Sequence, residues 1–167
     1  FVYVGTVERQ SDEYLALAAE AYRAAGLIEI ADSIASHYKG SGIGAVQMAI
    51  VRWRLAEAWR QRGNPERAEA LFLAARKDLP EEWMFEWRLD YSLLLLEQNR
   101  NDEALDLLQQ DNIMLEERRS RARAGRDRFL ASLYRQFNLA VALLRTGNTQ
   151  RGLGILDQLG HLDADSD

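Results

Sequence analysis

The sequence predicts an all-α fold of four consecutive helical hairpins, and three observations carry that expectation. Around residues 45–80, two apolar stripes at helical spacing flank the breaker Gly63-Asn64-Pro65: Met48, Val51, Leu55, Trp59 before it and Ala68, Leu71, Phe72, Ala75 after it. The offsets of that hairpin then recur along the chain. Each copy has an anchor residue, a breaker four later, a small residue five after that and a packing residue four beyond. The composition agrees: 167 residues, 47% hydrophobic and 28% charged with two prolines, suit one folded, mostly helical domain or one array of small repeats.

Taken in order, the copies are Tyr22, Gly26, Ala31, Ala35; Trp59, Gly63, Ala68, Phe72; Leu95, Asn99, Ala104, Leu108; and Leu143, Gly147, Gly152, Leu156. The anchors step by 37, 36 and 48 residues. Helices are expected near 12–25, 29–38, 45–62, 65–78, 81–98, 102–110, 114–146 and 149–159. The 114–146 stretch reads equally as one long helix or as two broken at Gly125. Asn64 can cap the fourth helix through its side-chain oxygen, and Pro65 suits a first helical turn. Pro80 stops that hairpin, and Glu81 and Glu82 complement the dipole of the helix that follows. Ahead of each anchor stands a small residue, Ala19, Ala56, Ser92 or Ala140, which lets neighbouring helices approach closely. Residues 1–10 are expected to be a lead-in and 161–167 an acidic, frayed tail.

Leu55-Ala56-x-x-Trp59, then Gly63, Ala68-x-x-x-Phe72 and Pro80, resembles a tetratricopeptide repeat. The early Trp slot of that pattern falls on Arg52, with Trp53 one place off, and only the second copy keeps the closing proline. The resemblance implies an α-solenoid over 11–160, curved as a right-handed superhelix, with repeats about 11–40, 45–80, 81–112 and 126–160 and an Arg-rich helical insert at 113–125. It further implies that the first helix of each hairpin lines a concave face where partner peptides lie. By spacing, that face takes Ala16, Glu20 and Arg23; Trp53, Glu57 and Arg60; Leu89, Leu93 and Leu96; and Phe137, Val141 and Leu144. Relatives that hold acidic chaperone tails carry Lys and Asn at such slots; Ala16, Glu20, Trp53, Glu57, Leu89 and Leu93 stand there instead and argue against that ligand. The implied function is non-enzymatic: a scaffold or adaptor for a partner protein. The alternative is a self-assembling module. The opening Phe1 and the lack of a polar capping helix after residue 160 raise the expectation of a longer native chain, or of another protein covering the end.

Catalytic and cofactor chemistry find little support. The two histidines, His37 and His161, lack a second His at ligand spacing, and no nucleophile–base order appears. Zero cysteines exclude disulfides and thiolate metal sites and leave the compartment open. Gly40-Ser41-Gly42-Ile43-Gly44 precedes a helix as phosphate loops do, yet no strand leads into it and no Lys-Ser/Thr follows, so a flexible inter-repeat loop is expected. No enzyme activity and no cofactor are therefore expected. No apolar run is long enough to span a membrane. The net charge of −5 opposes nucleic acid.

Two features leave alternatives open. Arg118, Arg119, Arg121, Arg123, Arg126 and Arg128 form a solvated face paired with Glu116, Glu117 and Asp127, a docking patch for an acidic segment centred on Arg119, Arg123 and Arg126, or a nucleic-acid contact, which the missing interleaved aromatics and the overall charge oppose. Leu93-Leu94-Leu95-Leu96 makes its helix apolar nearly all round. Leu94 and Leu95 can serve the hairpin core, while Leu93 and Leu96 need the 114–146 helix, a partner helix or a second copy over them. Trp53 is the natural anchor if it is exposed.

Overall fold

A computed structural model describes residues 2–109 and 126–161, all of it helices and their turns, with no strand among the described residues. The helices are α1 (Val2–Ala24), α2 (Ile28–His37), α3 (Gly42–Gln61), α4 (Pro65–Arg76), α5 (Met84–Glu97), α6 (Asn101–Gln109), α7 (Arg126–Arg145) and α8 (Thr149–His161), with a 3-10 turn at Glu81–Trp83. The chain divides into two compact units, Phe1–Pro80 and Glu81–Asp167. In the first, α1 packs on α2 and α3, and α3 packs on α4 and α2. In the second, α5 pairs with α6, α7 packs on both, and α8 lies back along α7.

Four turns are built alike, which explains the recurring offsets. Gly26, Gly63, Asn99 and Gly147 all have positive φ, between 60° and 87°. At that angle the next amide turns back to the anchor carbonyl: Leu27 N donates to Tyr22 O at 2.9 Å, Asn64 to Trp59 at 3.0 Å, Arg100 to Leu95 at 2.9 Å and Asn148 to Leu143 at 2.8 Å. This is the Schellman closure of a helix C-terminus, and glycine or asparagine stands there because other side chains resist the left-handed region. The carbonyl of the same residue opens the next helix, accepting from Ala31, Ala68, Ala104 and Gly152. Those small residues are buried, so the second helix sits close against the first. Asn64 also caps α4, its Oδ1 accepting from Arg67 N at 3.1 Å, and Pro65 follows in the first turn.

Boundaries differ from expectation in three places. α1 begins at Val2 rather than near residue 12, so the expected lead-in is helical. The expected 81–98 helix opens as a 3-10 turn, and α5 starts at Met84. The glycine stretch is not a loop throughout, because α3 already begins at Gly42. A Cβ on Gly40 or Gly44 would collide with Asp12 and the Tyr38 hydroxyl, so these glycines make room for α1 and Tyr38. The choice between one helix and two around Gly125 lies outside the described residues, as does the acidic tail beyond His161.

Each unit has a distinct interior. In the first, Met48, Leu55 and Phe72 are fully buried with Ala19, Ala31 and Ala68. Asp32 on α2 is buried too, and it ties three helices together. It accepts from Trp59 Nε1 of α3 at 3.0 Å, from Arg67 Nε of α4 at 2.6 Å and from Ser36 Oγ at 3.2 Å. In the second unit, Phe85 and Leu89 of α5, Leu108 of α6 and Ala131, Leu139 and Leu143 of α7 form one core cluster.

Candidate protein-interaction site

The residues that spacing selects for a concave face have unlike fates. Trp53 is buried, 9% exposed, so the exposure that its use as an anchor requires is not met. Glu57 and Arg60 are one turn apart on α3 and bond to each other, Arg60 NH2 to Glu57 Oε2 at 3.0 Å. On α1, Ala16 is buried, and Glu20 accepts from Arg23 Nε at 2.8 Å and from Arg54 NH1 of α3 at 2.6 Å. The Arg23 hydrogen bond holds the Glu20 carboxyl below the ordinary carboxylate range; partial burial opposes the shift and the Arg54 charge adds to it. In the first unit, then, these positions carry internal ion pairs.

In the second unit α7 supplies the cover that α5 needs. Leu89 belongs to the core cluster and Leu96 is buried, so neither lines an open groove; Leu93 is half-buried. Asn138 of α7 is buried against α5, donating to Ser92 Oγ at 3.2 Å while Ser92 donates to Leu89 O at 2.8 Å. Arg145 NH1 donates to Leu96 O at 2.6 Å, satisfying a carbonyl at the α5 C-terminus. Intrachain cover was one of the three alternatives for the leucine run. The described part of that segment, α7, does pack on α5, with Leu96 buried and Leu93 half-buried.

With α5, α6 and α8 packed on α7, one apolar stripe of that helix stays exposed. Phe137 is half exposed at 52%, with Tyr134 at 64% and Leu130 at 41%. Val141, half-buried, continues the series at helical spacing from 130, 134 and 137. Spacing had selected Phe137 and Val141, whereas Leu130 and Tyr134 went unnoticed. The i, i+4, i+7, i+11 pattern was the available signal. Arg119 and Arg123 lie outside the described residues, and Arg126 marks the start of α7.

Among the described residues no group of three or more His, Cys, Asp or Glu could hold a metal, and no helix is long and apolar enough to cross a membrane. His37 lies at the end of α2, its Nδ1 2.7 Å from Ser33 O. Compared with known proteins, the chain matches no family profile, no curated protein and no solved structure.

Proposed function

We propose that this chain is a non-enzymatic scaffold that holds a partner protein or peptide along the first helices of its hairpins. On this reading the hairpins stack as a tetratricopeptide-like right-handed superhelix, and the partner lies on its concave side. The observation that carries the reading is the fourfold repetition of one turn, with a positive-φ residue at the same position and the same two backbone hydrogen bonds. Hairpins of equal geometry that bury their faces on neighbours make extended arrays, and arrays offer long binding surfaces. The exposed stripe Leu130, Tyr134, Phe137 on a first-position helix supports an apolar contact there. Ion pairing of Glu20 and of Glu57 within the chain weighs against a partner chosen by charge at those positions.

The test is photo-crosslinking in the native host, with a benzophenone side chain at Phe137 and a control at Glu103 on the exposed face of α6. A specific adduct at Phe137 is expected. The captured partner, purified, should then bind with affinity reduced at least about tenfold by Phe137→Ala, the effect of losing one aromatic hot spot. Equal labelling at both positions, or unchanged affinity in Phe137→Ala, would remove α7 from the binding surface. An adduct of twice the chain mass at Phe137 would favour the self-assembling alternative.

A further inference from the structure

The first hairpin is inside out in its use of charge. On α1, Ala16, Ala19, Glu20 and Arg23 share the inward side, at spacing i, i+3, i+4, i+7; the two alanines are buried and Glu20 bonds to Arg54 of α3. The opposite side carries Tyr14, Leu15, Leu17, Ala18, Ala21 and Tyr22, where solvent would ordinarily meet polar residues. Tyr14 is 67% and Leu17 61% exposed, and Leu15 and Tyr22 stand about 40% open. Leu27, also exposed, extends the patch past the turn, where its amide bonds to Tyr22 O. Glu13 borders this face and no charged residue lies within it; Glu29 and Asp32 of α2 are bonded to Arg62 and Arg67.

We propose that this face of α1 is a homodimer interface, in which α1 packs antiparallel on α1 of a second copy about a two-fold axis at Ala18. The proposal stands apart from the concave-face reading, since it uses the other side of the helix. Two arguments support a second copy, and the second of them sets it apart from a different partner. The first is size. The exposed apolar area of Tyr14, Leu15, Leu17, Tyr22 and Leu27 comes to roughly 500 Å², and a standard interface of about 800 Å² per partner, some 60% apolar, requires about that much. The second is self-complementarity. A two-fold axis at Ala18 sets Tyr14 opposite Tyr22 of the second copy, Leu15 opposite Ala21, and Ala18 opposite itself. Large side chains meet small ones near the axis, and aromatic rings pair at either end. A contact without central charge meets no like-charge penalty when paired with itself.

Sedimentation of the full chain tests this across concentrations up to the order of 100 µM. The expected result is a reversible species of twice the 19.1 kDa chain mass, with dimerisation weakened at least about a hundredfold by Tyr14→Glu at unchanged helicity. A second variant works independently of that substitution. The chain has no cysteine, so Ala18→Cys introduces a single thiol. Helices about 8–10 Å apart bring facing Cα atoms to about 4–5 Å, within disulfide reach. With copper phenanthroline as oxidant, Ala18→Cys should form covalent dimer at least about tenfold faster than Leu73→Cys, an exposed control on α4. A chain monomeric throughout, a dimer insensitive to Tyr14→Glu, or equal oxidation rates for the two thiols would each overturn the proposal.

Discussion

Asp32 offers the sharpest test of how the first unit is held together. It is 7% exposed, and its two oxygens serve the Trp59 indole, the Arg67 guanidinium and the Ser36 hydroxyl. Asp32→Ala removes the acceptor from three elements at once. The indole N–H, left half-buried without its acceptor, costs about 1–3 kcal/mol. The guanidinium contributes less than a buried ion would, because Arg67 is 37% exposed and keeps Ser36 Oγ at 2.6 Å; screening reduces its share to about 1 kcal/mol or below. Together these predict a loss of about 2–4 kcal/mol. Asp32→Asn, which keeps an oxygen for the indole and gives up the charge, should lose about half as much. Because the chain has two compact units, native-state hydrogen exchange is the suitable assay, reading α2–α4 and α5–α7 separately. A loss of 3 kcal/mol should lower protection in α3 and α4 by roughly 150-fold, with α5 unchanged. A change below about 1 kcal/mol in α3 and α4, or equal loss in α5, would refute the reasoning.

Further expectations follow from the turns, the glycines and one carboxylate. Gly63→Ala places a side chain at φ 74° with nothing within 4 Å, so its cost is purely conformational, about 1–2 kcal/mol by urea unfolding; Asn99→Gly, at φ 60°, should be neutral or gain a few tenths. In α8, Gly154→Ala meets nothing within 4 Å and should stabilise by about 0.5–1 kcal/mol. Gly152→Ala should destabilise, since its Cβ would sit 2.8 Å from Leu144 Cγ and 3.1 Å from the Ala140 carbonyl; thermal unfolding of the pair separates the two outcomes. Glu20 titrates below its ordinary value in the folded chain, so its stabilisation is present above the unfolded pKa and is lost as pH falls through the lower, folded one. The stability difference between wild type and Glu20→Gln should therefore be visible at pH 7, below about 1 kcal/mol after screening, and shrink toward zero on acidification.

The turns were legible because they rest on local chemistry. A positive φ requires glycine or asparagine, and the small residue five later is needed where the second helix meets the first, so Gly26, Gly63, Asn99 and Gly147 announced four hairpins on sequence alone. Helix starts without such a requirement were harder to read. The first residues of α1, Val2-Tyr3-Val4-Gly5, offer no cap and no strong helix former, and the expected start fell near residue 12. Gly40 to Gly44 looked like a loop because glycine signals freedom. Two of those glycines are there for lack of space, which only the position of Asp12 and Tyr38 reveals.

Side-chain roles were less legible than backbone because they depend on which segment crosses which. Periodicity put Leu89, Leu93 and Leu96 on one side of a helix and required cover for Leu93 and Leu96, whereas Leu89, expected to line a groove, is core; nothing local to α5 names α7 as its neighbour. The donors that fasten it, Asn138 and Arg145, lie 49 residues from the Leu89 and Leu96 carbonyls they reach. The same dependence explains the surplus on α7. A helix that must bury Leu139 and Leu143 on one side, and has Tyr134 and Phe137 on the other, carries more apolar surface than its own unit uses. α1 is in the same position with Tyr14 and Leu17. Both are first helices of their hairpins. The constant turn therefore fixes the framework of each hairpin, and the proposed contacts fall on faces that the turn does not consume.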